Sequence, residues 1–222
     1  MDSKIKTIQK NEQLQKKAIQ IARLLRCMYP RAKVFLNHSN PFELLVAVML
    51  SAQCTDKKVN EVTRELFKKY KIIDDFVCAG KTKKSIQMFE DDIRQTGFFH
   101  TKTKHILQTA KIIQKQYKGK VPHTMEELTA LPGVGRKTAN IILESVFGII
   151  VGIPVDTHVF RLAHVLKLSN KKRPDGVEAD LCSILPKRYW SNLSYRLISY
   201  GREFCTARKH NHALCPLSKI GV

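Results

Sequence analysis

Acidic residues are scarce in this chain. Its 19 aspartates and glutamates stand against 39 lysines and arginines, for a formal net charge of +20 over 222 residues. The basic residues recur along nearly the whole length, which favours a folded protein with a polyanionic partner over a polyanion-binding tail. Side chains that neutralise phosphates release condensed counterions, so binding is expected to weaken steeply as salt rises. Charge alone does not separate DNA from RNA or an anionic membrane. Long apolar runs are also missing: nothing approaches the roughly 18–20 apolar residues that cross a bilayer. The opening MDSKIKTIQKNEQLQKK is polar and has no signal-peptide stretch. A cytoplasmic or nucleoid, bacterial-type location is expected, with nucleus and organelle left open. Cysteines are few, and the six (27, 54, 78, 182, 205 and 215) lie far apart except for the last two. Without a secretion signal they are expected to stay reduced, and only Cys205 and Cys215 are spaced as possible metal ligands. Strand-like alternation, internal repeats and low-complexity tracts are absent. The length suffices for one large domain or two small ones without obligate oligomerisation, so a monomer is expected.

What remains is helix after helix. Leu14, Ala18, Ile21, Leu24, Leu25 and Met28 recur at spacings of three and four, the mark of one buried helical face over 12–28. Asn40 is placed to cap PFELLVAVMLSAQ, with Pro41 at the first helical position. That helix is apolar nearly all round and should be central. Further helices are predicted at 55–70, 83–94, 101–117, 124–130, 136–147, 156–166, 175–184 and 191–202. Ten short helices with short connections predict a compact all-α fold.

The most informative stretch is HTMEELTALPGVGRKTANIILESVFG, residues 123–148. Thr124 and Glu127 have capping-box spacing, and Pro132 stops the first helix at Leu131. Gly133 and Gly135 permit positive backbone angles in a hairpin, and a second amphipathic helix starts near Arg136. Such a hairpin presents backbone amides at the positive end of a helix dipole, a phosphate clamp without sequence preference. A plain helical hairpin with a glycine turn is the alternative, although the full LPGVGRKTA run is far more specific than two glycines.

Lys137 falls in the first turn of that second helix. The helix dipole and Arg136 beside it disfavour a charged amine there, and partial burial would add to this. A neutral amine is a nucleophile able to form a Schiff base with a sugar carbon. The competing reading is one more phosphate contact. Asp156, 19 residues further on in GIPVDTHVFRLAH, is placed to cap the next helix. A carboxylate there can be brought to the same cleft to stabilise positive charge developing on a sugar and to steer proton transfers. A simple cap is the alternative. His158 and Arg161 on the same helix read as phosphate or packing residues.

These residues resemble the endonuclease III family of helix-hairpin-helix DNA glycosylases. The resemblance is carried by LLVAVMLSAQCTDKKVN (44–60), TGFFHTKTKHI (96–106), LPGVGRKTAN (131–140), VDTHVFRL (155–162) and GREFCTARK (201–209), in family order. It implies two helical domains flanking a DNA-binding cleft: a six-helix barrel at 34–150 holding the hairpin, and a second domain made from 1–33 and 151–222. It implies that Lys137 attacks C1′ of a nucleotide flipped out of duplex DNA, expelling an oxidised pyrimidine, with β-elimination following and Asp156 assisting. Gln53 matches the residue that fills the vacated stack. Phe98 occupies the wedge position, where a smaller aliphatic residue is commoner. Gly133, Gly135, Arg136, His158, Arg208 and Lys209 complete the expected DNA contacts.

The departure is at the carboxyl end. The family pattern for a 4Fe-4S cluster calls for four cysteines, and the register here places Cys205, His212, Cys215 and Gly221 on it. Two thiolates do not hold such a cluster, so no cluster and a metal-free loop are expected. Zinc on Cys205, Cys215 and one or two of His210 and His212 is the irregular alternative. No cofactor is needed for chemistry that uses an amine and a carboxylate. The chain has the lysine that the adenine-mismatch branch lacks, and neither that branch's carboxyl-terminal domain nor the amino-terminal sheet of the 8-oxoguanine branch is expected. A glycosylase for another lesion or mismatch and a non-catalytic DNA-binding module are the competing functions. A pure clamp would not require Lys137 and Asp156 together.

Overall fold

The computed structural model describes residues 2–220, and among these every regular element is helical. In chain order the α-helices are α1 (Asp2–Met28), α2 (Pro41–Leu50), α3 (Asp56–Lys69), α4 (Ile73–Ala79), α5 (Lys83–Ile93), α6 (Phe99–Tyr117), α7 (Met125–Thr129), α8 (Arg136–Phe147), α9 (Thr157–Val165), α10 (Pro174–Ile184) and α11 (Leu193–Glu203). Short 3₁₀ turns occupy Arg94–Thr96, Lys187–Tyr189, His212–Leu214 and Pro216–Ile220. The chain divides into two compact units, one from Phe35 to Gly148 and one from the residues up to Val34 with those from Ile149 onward.

In the continuous unit α2 is the axis. Asn40 Oδ1 accepts from the Glu43 amide at 2.9 Å and starts the helix, and every residue from Phe42 to Leu50 is buried. It packs against α3, α6 and α8. Beside it Phe42, Tyr70, Phe76 and Phe89 form an aromatic cluster with ring centroids 5.1–5.9 Å apart. Phe76 belongs to α4, the one helix of this unit that periodicity did not predict. Seven residues are too few to show a repeating apolar face. Its start is set instead by the Asp75 carboxylate, which accepts from the amides of Lys71 and Ile72 at 2.8 and 3.1 Å.

The discontinuous unit packs α1 on α10 and α11, and α11 on α9. Ala18, Ile21 and Leu25 of α1 are buried, as the spacing predicts, with Ala22 beside them, while Leu14, Leu24 and Met28 are half-buried and the helix begins ten residues earlier than expected. The Tyr29 hydroxyl donates to Glu203 at 2.8 Å and ties the end of α1 to the end of α11.

A second departure concerns the end of α2, which stops at Leu50 rather than at Gln53. Ser51 turns its hydroxyl back onto the Val48 carbonyl at 2.7 Å, and Gln53 adopts a left-handed conformation. The Leu50 carbonyl at the end of α2 is taken by Lys102 of α6, whose buried ammonium donates at 2.8 Å both to Leu50 O and to Thr96 O. One cation thus stitches the end of α2 to the turn before α6. Burial pushes the Lys102 amine down from its ordinary value. Lys102→Met leaves two buried acceptors unpaired and is expected to cost about 2–4 kcal/mol. The melting temperature should fall by about 5–15 °C, checked by thermal denaturation against Lys104→Met on the same helix, which should behave like wild type.

Candidate active site

The hairpin is built from the inside out. Thr124 Oγ1 accepts from the Glu127 amide at 3.2 Å and opens α7. Only half of the predicted capping box forms, because the Glu127 carboxylate accepts from the Thr124 hydroxyl at 2.9 Å. Leu128, Leu131 and Val134 are buried and anchor the turn, and Thr109 of α6 donates to the Pro132 carbonyl at 3.0 Å. The two glycines do different work. Gly133 has φ +75°, and a Cβ there would stand 2.7–2.9 Å from His105 of α6, so both backbone angle and space demand glycine. Gly135 does not take the positive angle expected of it. It is the N-cap of α8 in an extended conformation, φ −91°, with open space where a Cβ would be. Neither backbone angle nor neighbouring atoms require glycine there.

The first bond inside α8 runs from the Ala139 amide to the Gly135 carbonyl at 3.0 Å. The amides of Lys137 and Thr138 precede it and have no carbonyl partner within the helix, and Gly135 has no side chain to cap them. They lie at the positive end of the helix dipole, an arrangement suited to an anion. Arg136 and Lys137 are both exposed. The partial burial considered for Lys137 is therefore absent in the free protein, and its amine is open to an incoming reactant.

Gln53 and Phe98 belong to the same unit, and both are exposed with left-handed backbones, φ 53° and 50°. Phe98 immediately precedes α6 and is 65% exposed. A bulky non-glycine residue in this conformation is an outlier that surrounding structure must hold in place. The segments carrying the two side chains are those that Lys102 ties together.

In the discontinuous unit, Asp156 caps α9 with Oδ1 accepting from the Val159 amide at 2.8 Å. The lead-in is held by buried Ile153 and Val155 and by Ser194 of α11, which donates to the Pro154 carbonyl at 2.5 Å. The cap uses one carboxylate oxygen. His158 packs beside Gly201 of α11, where an added Cβ would meet its Nδ1 at 3.3 Å. Arg161 turns inward and donates to the Cys205 carbonyl and, at 3.6 Å, to Cys205 Sγ. A 680 Å³ cavity of the continuous unit, lined by Phe42, Phe76, Pro122 and Phe147 among others, includes none of the predicted site residues.

A family model described as HhH-GPD superfamily base excision DNA repair protein matches residues 46–187. The endonuclease III of Synechocystis sp. is 41% identical over 204 residues, 92% of this chain and 91% of its own. The chain belongs to the endonuclease III family. The Bacillus subtilis endonuclease III is 44% identical over 87% of this chain and 86% of its own. A solved structure of a trapped endonuclease III–DNA covalent intermediate aligns with a TM-score of 0.85 at 38% identity, covering 93% of this chain and 94% of that chain.

For an endonuclease III family member the carboxyl-terminal loop is unusual. Of the four cluster positions, Gly221 lies outside the described residues. The other three are joined by His210, so that Cys205, His210, His212 and Cys215 offer ligand atoms all within 4.8 Å of one another. The metal-free loop favoured by sequence spacing thus contains an assembled four-donor group. These donors do not fit a 4Fe-4S cluster. Each ligand of such a cluster serves a separate iron at a separate corner, normally through four thiolates, whereas two thiols and two imidazoles here lie within 4.8 Å of one another. Arg208 and Lys209 are exposed between the first two donors.

The contrast between the two hairpin glycines is testable. Gly133→Ala is expected to lose about 2–4 kcal/mol, from the left-handed backbone and overpacking against His105. Gly135→Ala should unfold within about 0.5 kcal/mol of wild type yet bind DNA more weakly, measured by denaturant titration and by fluorescence anisotropy.

Proposed function

We propose that this chain removes oxidised pyrimidines from double-stranded DNA and cuts the resulting abasic strand, with Lys137 as nucleophile and Asp156 as its assisting carboxylate. As a member of the endonuclease III family it is a DNA glycosylase and abasic-site lyase of base excision repair. The observation that carries the assignment of Lys137 is its exposure in the first turn of α8, beside amides that have no partner within the helix. A phosphate docked on those amides brings a deoxyribose to the amine. The covalent DNA intermediate of the aligned relative supports a covalent mechanism.

The neutral Lys137 amine attacks C1′, the glycosidic bond breaks, and the base departs with the bonding electron pair and takes up a proton. The nitrogen loses its extra proton and its lone pair expels O4′ from C1′, giving an iminium on the opened sugar while O4′ takes up a proton as a hydroxyl. Loss of a C2′ proton expels the 3′ phosphate, and water releases the enzyme from the unsaturated sugar. Asp156 stabilises the cationic sugar as the base leaves. Extruding the base costs a few kcal/mol, which side chains entering the stack partly offset. Gln53 and Phe98 are suited to this because both are exposed and held in fixed left-handed turns. The aromatic face of Phe98 offers the unpaired base a stacking surface that an aliphatic residue lacks.

Borohydride should trap a covalent adduct between the protein and abasic-site DNA, and Lys137→Gln should abolish it. Trapping that persists in the variant overturns the assignment. In Asp156→Asn the amide oxygen still caps α9, so stability and DNA affinity should stay near wild type. Base release should nevertheless slow by about 10²-fold or more. Loss of folding or binding instead would make Asp156 only a cap. A panel of duplexes with one damaged base each identifies the lesion, and activity confined to other bases would refute the pyrimidine assignment.

A further inference from the structure

We propose that Cys205, His210, His212 and Cys215 form a mononuclear tetrahedral zinc site in the place where the family carries an iron-sulfur cluster. Three independent features support it. The first is edge length. With zinc–sulfur bonds of about 2.3 Å and zinc–nitrogen bonds of about 2.0–2.1 Å, the sulfur–nitrogen edge of a tetrahedron is about 3.6 Å. Cys205 Sγ stands 3.8 Å from His212 Nδ1, and Cys215 Sγ stands 3.5 Å from His210 Nε2. Both distances are also within hydrogen-bond reach of a sulfur, and all four donors lie within 4.8 Å of one another.

The second is the tautomer of His210. Its Nδ1 lies 2.8 Å from the Arg208 carbonyl, which only accepts, so Nδ1 carries the proton and Nε2 keeps its lone pair facing Cys215. A backbone carbonyl orienting a histidine in this way is the usual outer-shell arrangement of a metal-ligating imidazole. The third is charge. Two thiolates and two neutral imidazoles neutralise a divalent cation, and the Arg161 guanidinium donates to Cys205 Sγ from outside the group. Soft thiolates with imidazoles in a small tetrahedron select zinc over hard cations. The chelate Cys205–His210 encloses Arg208 and Lys209, so the ion pins a basic loop tip to the end of α11 without iron.

The full-length protein, expressed with both zinc and iron in the medium, should contain about one zinc per chain by elemental analysis. It should contain no stoichiometric iron and show no visible iron-sulfur absorption. Modifying the thiols with a mercurial should release that zinc to a chromogenic chelator. Cobalt-loaded protein should show the intense d–d and thiolate charge-transfer bands of a tetrahedral site. Stripping the metal from the wild-type chain should lower its melting temperature by about 10 °C, reversibly on adding zinc. His210→Ala and His212→Ala should each reduce zinc retention at least tenfold while leaving the helical circular dichroism intact. Stoichiometric iron, or protein that purifies and stays without metal when zinc is supplied, overturns the proposal. These readouts use no catalysis, so their failure leaves the glycosylase reading untouched.

Discussion

The amides of Lys137 and Thr138 open a helix that offers them no carbonyl, and much of the structure around them follows from keeping that helix start exposed. A buried helix end would need a capping side chain. Here the cap is Gly135, which supplies none. The turn before it is tightly built, with Leu128, Leu131 and Val134 in the core, Thr109 on the Pro132 carbonyl, and Gly133 against His105. Rigidity below the hairpin and openness above it come from adjacent glycines with opposite demands. In the proposed function the same helix start serves binding and chemistry, since its open amides and the exposed Lys137 lie within one turn of each other.

The segments bearing Gln53 and Phe98 solve a different problem. Each holds a non-glycine residue in the left-handed region, at a cost of order 1–3 kcal/mol apiece. Exposed side chains contribute no burial to repay that. Lys102 supplies the restraint, because its ammonium satisfies a carbonyl at the foot of each segment and leaves neither free to relax. A buried cation held by backbone carbonyls is stable only while both are in place, which couples the two segments to a single residue of α6.

The carboxyl-terminal loop is braced by protein contacts of its own. Arg161 of α9 bonds to Cys205, and His212 lies beside the same sulfur. The position of His210 off the family register matters here. One residue from outside the pattern closes the donor set that the pattern itself leaves incomplete, and a single-ion site needs donors closer together than a cluster does. The exposed basic pair at the tip is carried along with the loop.

By itself the sequence determined the helical class, the hairpin, and the caps at Asn40, Thr124 and Asp156, because each depends on residues within one or two turns of one another, and it named Lys137 and Asp156 as the candidate reactive pair. Periodicity, a proline at the first helical position and a glycine in a tight turn are local constraints that survive in a linear string. The misses are non-local. The chain written out does not show that His105 presses on Gly133 while Gly135 stands in open space, so both glycines looked alike. Lys102 looked like any other lysine among many, and only the carbonyls of Leu50 and Thr96, one of them 52 residues away, make it a structural cation. His210 and His212 were legible as candidate ligands, but their joining with Cys205 and Cys215 is a matter of side-chain direction. Such distances are decided by tertiary packing, since each is the sum of many backbone angles that no local pattern records.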